Sequence, residues 1–271
     1  MPEMRLFANG NLISRNLYYL DPLPDRGPGV LLLHGLGANS SSWQLQMPVL
    51  LTAGFRPIAP DLPGFGQSHP GQGRWSIHSA ARVVAAAINQ LHAAPLHIVG
   101  ISMGGTVALQ LAVDYPEMVK KLVLVSTFAR LWPESLGGWL YFAQRAFLVW
   151  GRGLDAQAQY VAARIFPGIA QEDLRLALFE QIMQANPAVY KAAMRSLGLF
   201  NVLGRLKNIR AQTLVVTGEK DSTVPIHNQH PLVERIPGAK QVLLANAGHA
   251  LCVEQPDLFN KYLIDFLCQP S

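Results

Sequence analysis

A serine stands between glycines at the end of an apolar run, in the stretch HIVGISMGG at residues 97–105. Gly100, Ser102 and Gly104 fit the pattern G-x-S-x-G, which is typical of a tight turn from a strand into a helix. The residues two before and two after the serine approach each other in such a turn, so both must be very small. A helix-capping serine with chance glycines is the alternative. The apolar segment before Ser102 and the amphipathic segment after it favour a nucleophile.

A serine hydroxyl is a weak nucleophile unless a base takes its proton. Among the eight histidines, His249 in the loop NAGHA is the best candidate for this base, because it follows the last predicted strand and precedes the last helix. Asp221 in GEKDSTVP follows another predicted strand and should lie at the same end of the sheet. Glu219 is its nearby competitor, and a helix N-cap is the structural alternative for Asp221. The chain order Ser, Asp, His favours Asp221 as the orienting acid.

Acyl transfer also needs hydrogen-bond donors for the oxyanion of its tetrahedral intermediate. One donor is expected to be the backbone N–H of Met103, directly after the serine. The second is expected from the loop HGLG at residues 34–37, and we assign it to the backbone N–H of Leu36. His34 could support that loop through hydrogen bonds, in a structural or a chemical role.

Alternating strands and helices must position these residues. Short apolar runs, typical of strands covered on both faces, predict strands at 30–33, 55–59, 96–101, 122–125, 213–217 and 241–244. Helical spacing predicts helices at 43–53, 76–92, 103–115, 226–235 and 257–267. N-terminal to these elements, the turn signal Asn9-Gly10 predicts a hairpin of Met4 to Ala8 with Leu12 to Leu20. The sequence therefore predicts an α/β fold with a mostly parallel central sheet and flanking helices.

Residues 128–206 interrupt this alternation with helical spacing and no convincing strand. We predict a core of residues 1–127 and 207–271, with a helical cap inserted at 128–206. The cap's aromatic side chains could line a substrate pocket or form the cap's own core, and the pocket candidates are Trp132, Trp139, Phe142 and Phe147. Its arginines could contact an acidic substrate or an acyl carrier protein, or form a solvated helix face; they are Arg130, Arg145, Arg152 and Arg164.

Half of the 271 residues are apolar and 14% are charged, a composition that can bury a large core. The net charge is +5, but the basic residues are scattered, with no run longer than Lys120-Lys121. This pattern argues against a nucleic-acid partner. The start of the sequence has no signal-peptide pattern and no apolar run reaches about 18 residues, so we expect a cytoplasmic protein without a membrane partner.

Five motifs, in this order, resemble those of the alpha/beta-hydrolase family. They are HGLG at 34–37 with Trp43 downstream, DLPGFGQS at 61–68, GISMGG at 100–105, TGEKDSTVP at 217–225 and AGHA at 247–250. They span residues 30–268 apart from the predicted cap. The resemblance implies an alpha/beta-hydrolase fold, a catalytic triad of Ser102, Asp221 and His249, and no metal or cofactor. It implies a structural role for the loop that begins at Asp61.

Within that family, a serine at the elbow differs from the aspartate of haloalkane dehalogenases and epoxide hydrolases. The HGLG loop differs from the HGGPG of proline iminopeptidases and from the HGGGPG of carbon–carbon hydrolases. The chain resembles the esterase and lactonase branch, including enol-lactonases and the carboxylesterase that demethylates pimeloyl-carrier-protein esters. This resemblance implies hydrolysis of a small-molecule carboxylic ester, lactone or thioester through an acyl-enzyme at Ser102. A slow or non-catalytic ligand sensor, a perhydrolase and a lyase are the alternatives.

Overall fold

The computed structural model describes residues 11–13, 17–23, 27–133 and 136–270. Within these residues the strands are β1 (Asn11–Ile13), β2 (Leu17–Leu20), β3 (Gly29–Leu33), β4 (Arg56–Pro60), β5 (Leu96–Ile101), β6 (Val119–Val125), β7 (Gln212–Gly218) and β8 (Lys240–Leu244). They form one sheet in the order β1-β2-β4-β3-β5-β6-β7-β8. β2 pairs antiparallel with β1 and β4, and every other pair is parallel.

Helices connect and cover these strands. They are α1 (Met47–Thr52), α2 (Ile77–Gln90), α3 (Met103–Asp114), α4 (Leu136–Phe147), α5 (Leu154–Ile165), α6 (Glu172–Gln184), α7 (Pro187–Leu199), α8 (Ile226–Arg235), α9 (Leu251–Glu254) and α10 (Pro256–Leu267). A π-helical turn at Leu148–Arg152 follows α4. We call α4 to α7, with this turn, the inserted helices, because they lie between β6 and β7. None of the helices in the described ranges is long and apolar enough to cross a membrane.

Except at the edge strand β8, the parallel strands have buried side chains on both faces, as the apolar runs predict. Along β3, Leu31 and Leu33 pack with α2 and α3, whereas Val30 and Leu32 pack with α1 and α10. Successive side chains of a strand point to opposite faces, so one continuous apolar run supplies both cores. The predicted α/β fold with flanking helices is therefore confirmed.

Two local predictions differ from the structure. The segment from Leu12 to Leu20 is not one strand, because β1 and β2 pair with each other and place Leu12 opposite Tyr18. The predicted strand from Met4 to Ala8 and its turn lie outside the described residues. The helix predicted at 43–53 is divided into a 3-10 turn at Ser40–Trp43 and the shorter α1. Pro48 explains the break, because proline is tolerated in the first turn of a helix and not in its interior.

Candidate active site

Ser102 occupies a strained turn between β5 and α3. Its φ and ψ are 52° and −113°, a conformation that residues with a side chain rarely adopt. A Cβ on Gly100 would lie 2.4 Å from the carbonyl oxygen of Gly104, and one on Gly104 would lie 2.0 Å from that of Leu33. Only glycine allows these backbone approaches. The glycines of the sequence pattern are therefore explained by the geometry of the elbow.

Hydrogen bonds hold this turn at the carboxyl end of β5 and β6. The N–H of Ser102 donates to the carbonyl of Val125 at 2.9 Å, which continues the pairing of the two strands. The Oγ1 of Thr127 donates to the carbonyl oxygen of Ser102 at 2.7 Å. Strain of this kind costs about 1–3 kcal/mol and persists only where the surroundings enforce it.

His249 and Asp221 meet at the same end of the sheet, from the loops after β8 and β7. The Nδ1 of His249 lies 2.9 Å from Oδ2 and 3.1 Å from Oδ1 of Asp221. Both residues are buried. Oδ1 of Asp221 also accepts the N–H groups of Thr223 and Val224, each at 2.9 Å, so the carboxylate is fixed on both sides. Such a carboxylate orients the imidazole and fixes its tautomer.

Glu219, the competing acid, has a different partner. Its Oε2 accepts the backbone N–H of Asn246 at 3.0 Å. Asn246 has a φ of 60° and lies three residues before His249. Glu219 thus ties the loop that carries His249 to the loop that carries Asp221.

Glu254, which no sequence pattern indicated, holds the loop on the other side of His249. Its Oε2 accepts the N–H of Gly248 at 2.7 Å, and its Oε1 accepts the N–H of Ala250 at 2.9 Å. The two peptide groups flank His249. A glutamate that closes a short loop onto the next helix has no distinctive spacing, so only the fold brings it to this position.

The loop HGLG lies beside the elbow, and Leu36 lines the cavity above Ser102. His34 is fully buried beneath this loop. Its Nδ1 donates to the carbonyl of Gly35 at 2.8 Å, and its Nε2 accepts the N–H of Leu62 at 2.9 Å. This arrangement needs the neutral ring, and burial lowers the pKa of His34 accordingly. His34 therefore shapes the loop and does not line the cavity.

Asp61, which the resemblance assigns to a structural loop, binds backbone groups. Its Oδ1 accepts the N–H of Ser40 and its Oδ2 that of Gln67, both at 2.7 Å. It is absent from the residues that line the cavity. These bonds join two loops near the site and leave the carboxylate no free oxygen for substrate.

A cavity of about 400 Å³ lies over Ser102 and His249, beneath the inserted helices. Both side chains line it, together with Leu36 of the HGLG loop. Its other walls are mostly apolar, and the inserted helices supply much of them, including Tyr141, Phe142, Ala146, Trp150, Val161, Ile165, Phe166 and Leu178. A cavity of this kind binds small molecules with a large apolar part.

Only one of the four predicted pocket residues lines the cavity. Phe142 lines the cavity. Trp132, Trp139 and Phe147 lie outside it, with 51%, 51% and 63% of their surfaces exposed. Positions 141, 142, 145 and 146 form the cavity-facing side of α4, and the other aromatic residues fall on other sides of the chain. Composition alone does not distinguish the two sides.

Of the four arginines considered above, Arg145 lines the cavity. Arg164 lies 4.1 Å from the centre of the Tyr141 ring and donates from Nη2 to the carbonyl of Ser222 at 2.8 Å. Arg130 stacks on Trp132, at 4.4 Å from the ring centre. Arg152 is exposed and does not touch the cavity.

Cys252 also lines the cavity, as a free thiol. Burial raises its pKa to about 12, so the thiol stays protonated at neutral pH and is a poor nucleophile. Within the described part of the chain, no three His, Cys, Asp or Glu side chains are grouped as metal ligands would be. Among the side chains that line the cavity, the hydroxyl of Ser102 and the imidazole of His249 are suited to act as nucleophile and base.

Known proteins resemble the chain over nearly its whole length. A carbamate hydrolase named RutD from Variovorax paradoxus (strain S110) is 32% identical over 262 residues, which cover 94% of this chain and 97% of the relative. A 2-hydroxy-6-oxononadienedioate/2-hydroxy-6-oxononatrienedioate hydrolase from Comamonas testosteroni is 31% identical, with 90% of each chain covered. The solved enol-lactonase from Burkholderia xenovorans LB400 superposes with a TM-score of 0.85 at 23% identity, covering 96% of this chain and all of the other.

The sequence model of the alpha/beta hydrolase fold matches residues 28–256. The chain therefore belongs to the alpha/beta hydrolase fold family, and it is a hydrolase.

Proposed function

We propose that this hydrolase cleaves a carboxylic ester, lactone or thioester through an acyl-enzyme intermediate on Ser102, with His249 as the base and Asp221 as the orienting acid. One observation supports this most directly. The strained Ser102 and the Asp221-bound His249 line the same cavity. The inserted helices act as a cap over this cavity.

In the first step the Oγ of Ser102 attacks the carbonyl carbon, and its proton passes to Nε2 of His249. The carbonyl oxygen becomes an oxyanion, which accepts hydrogen bonds from the backbone N–H groups of Leu36 and Met103. Met103 is the first residue of α3, where helical N–H groups have no acceptor within the helix. The helix dipole adds stabilisation there.

The intermediate then collapses, and the alcohol leaves with the proton held by His249. In the second half a water molecule gives a proton to His249 and attacks the acyl carbon bound to Ser102. The ester bond to the serine breaks, the carboxylic acid is released, and the proton returns to Ser102. Asp221 keeps the imidazole in one orientation throughout, with Nδ1 protonated.

The relatives fit this proposal in general terms, because their names describe hydrolysis of carbamates and ring-cleavage products. The glycine-leucine-glycine sequence of the HGLG loop favours an ester or lactone over a carbon–carbon bond. This is the same feature that separates the chain from the HGGGPG enzymes. The substrate is expected to have a sizeable apolar part, since the lining is mostly apolar.

The test is hydrolysis of p-nitrophenyl esters of increasing acyl length by the wild type, Ser102→Ala and Ser222→Ala. Ser222 is exposed and lies next to Asp221, so its variant is the matched control. We expect Ser102→Ala to lose at least about 10⁴-fold in kcat/KM and Ser222→Ala to stay near the wild type. A fluorophosphonate should label Ser102 with loss of fluoride, as a mass shift in its peptide. Turnover that survives in Ser102→Ala, or turnover only of carbamates, would contradict the proposal.

A further inference from the structure

Arg145 places a positive charge in the wall of an otherwise mostly apolar cavity. It projects from α4 and lines the same cavity as Ser102 and His249. An arginine stays protonated at any physiological pH, so this charge is permanent. Removing a charge from water without a partner is unfavourable. The positive charge of Arg145 therefore needs a compensating group.

The hydrogen-bond partners of Arg145 in the described chain are neutral. With its amide oxygen turned towards the guanidinium, Gln157 accepts from Nε at 2.9 Å and from Nη2 at 3.0 Å. The hydroxyls of Tyr141 and Tyr190 lie 3.5 Å from Nη1 and Nη2, which is long for a hydrogen bond. No aspartate or glutamate among the described residues forms an ion pair with Arg145, and none lines the cavity.

These contacts leave part of the guanidinium unused. Gln157 occupies the edge formed by Nε and Nη2, and the edge formed by Nη1 and Nη2 has only the two long hydroxyl contacts. An arginine edge with two parallel N–H groups matches a carboxylate, which it binds in a bidentate way. Gln157 and Tyr190 are fully buried, so the residues that hold the guanidinium in place are themselves fixed.

We propose that Arg145 binds a free carboxylate of the substrate, so that the preferred esters or lactones carry a second, ionised acid group. The inference rests on the proposed function, because it places the carboxylate in the cavity where Ser102 attacks the ester. The apolar walls then hold the carbon chain between the two groups. A neutral ester of the same length places no carboxylate against the edge formed by Nη1 and Nη2.

The experiment compares two matched substrates, p-nitrophenyl hydrogen adipate and p-nitrophenyl hexanoate, which differ at the far end of the acyl chain. Adipate is long enough to limit attack of its own carboxylate on the ester. The proteins are the wild type, Arg145→Gln, Arg145→Lys and Arg152→Gln. Arg152 is exposed and outside the cavity, so its variant removes the same charge without touching the site. Circular dichroism and thermal unfolding report whether each variant is folded.

We expect Arg145→Gln to lower the ratio of kcat/KM for the adipate ester to kcat/KM for the hexanoate ester by about 30-fold or more. Arg145→Lys should recover only part of the loss, because lysine lacks the planar edge. Arg152→Gln should behave as the wild type with both esters. A similar wild-type kcat/KM for the two esters, or an equal loss of both in Arg145→Gln, would overturn the inference and leave the proposed function standing.

A binding measurement separates the two proposals in the other direction. Calorimetric titration of adipate and of hexanoate into Ser102→Ala, and into Ser102→Ala combined with Arg145→Gln, needs no turnover. We expect adipate to bind the single variant more tightly and to lose that advantage in the double variant. This result without any ester hydrolysis by the wild type would refute the proposed function and retain the carboxylate site. Equal binding of the two acids to Ser102→Ala would refute the site.

Discussion

The Nδ1 of His249 lies 2.9 Å from Oδ2 of Asp221, although 28 residues separate them along the chain. Neither residue lies in a strand or a helix, and each follows one of two neighbouring parallel strands, β8 and β7. The ends of parallel strands meet at one edge of the sheet, so loops that are distant in sequence come into contact there.

The pair of Asp221 and His249 supports a prediction about the proposed acid. Asp221→Asn keeps the size of the side chain and removes the charge that favours the Nδ1-protonated ring. We expect kcat for p-nitrophenyl acetate to fall by about 10⁴-fold, the loss typical of serine enzymes that lose this carboxylate. Glu219→Gln is the matched control and should change kcat by less than about tenfold. If Glu219→Gln proved as damaging as Asp221→Asn, the assignment of the acid would be wrong.

Alanine is predicted to have opposite effects on the free energy of unfolding at Gly104, in the elbow, and at Gly198, in α7. Gly104→Ala places a Cβ 2.0 Å from the carbonyl oxygen of Leu33, so the free energy of unfolding should fall by about 3 kcal/mol or more. Gly198, in α7, has no atom within 4 Å of a Cβ position. Gly198→Ala should therefore raise the free energy of unfolding by about 0.5–1 kcal/mol, through helix propensity. Unfolding in guanidinium chloride measures both, and a neutral Gly104→Ala would show that the elbow can relax.

Glu254 is predicted to position His249 through the backbone. Glu254→Gln keeps one oxygen and turns an amide group towards one of the N–H groups of Gly248 and Ala250. We expect a loss of about 1–2 kcal/mol in stability and a fall of about tenfold in kcat with little change in KM. Glu234→Gln, exposed on α8, is the control. A loss of stability with unchanged kcat would limit Glu254 to a structural role.

His97 predicts a loss of stability in acid. Burial, with a smaller contribution from Lys120 and Lys121, lowers its pKa to about 4, and the unfolded value is about 6.5. Well above pH 6.5 the imidazole is neutral in both states. As the pH falls below 6.5 the unfolded chain binds a proton that the folded chain does not, so stability decreases until about pH 4.

Between pH 7 and pH 5 this group should cost about 2 kcal/mol of stability. His97→Leu should remove that part of the pH dependence, as measured by guanidinium unfolding at both pH values. His230→Leu, at an exposed position of α8, is the control and should keep the wild-type pH dependence. A wild-type slope in His97→Leu would refute the assignment.

Two adjacent lysines of β6 are predicted to differ in how much each contributes to the free energy of unfolding. Lys121 is fully buried, and its Nζ donates to the carbonyls of Phe266 at 2.9 Å, of Leu267 at 3.1 Å and of Gln269. These bonds cap the end of α10. Lys121→Met leaves the carbonyls unpaired and should cost about 3 kcal/mol or more. Lys120→Met, on the exposed side of the strand, should change stability by less than about 0.5 kcal/mol, and equal effects would contradict this role.

The sequence by itself determined the fold family and the local form of the elbow. The family followed from the resemblance of five motifs, and the α/β class followed from apolar runs of strand length, which need two covered faces. Gly100 is required by a turn within five residues, whereas Gly104 is required by the approach of Leu33 on β3. The order of Ser102, Asp221 and His249 along the chain also pointed to which loops would meet. Local spacing is sufficient for the turn at Ser102 because that turn concerns one strand and the helix after it.

Only the tertiary structure decided which side chains face the cavity. Four arginines and several aromatic residues of the segment 128–206 were equivalent in sequence. The rotation of α4 turned Phe142 and Arg145 inwards and Trp139 and Phe147 outwards. Glu219 and Asp221 were separated by one residue, and the packing of two loops gave them different partners. Lys121 was indistinguishable from Lys120 until α10 covered it. Such choices depend on contacts between residues far apart in the chain, which no local pattern encodes.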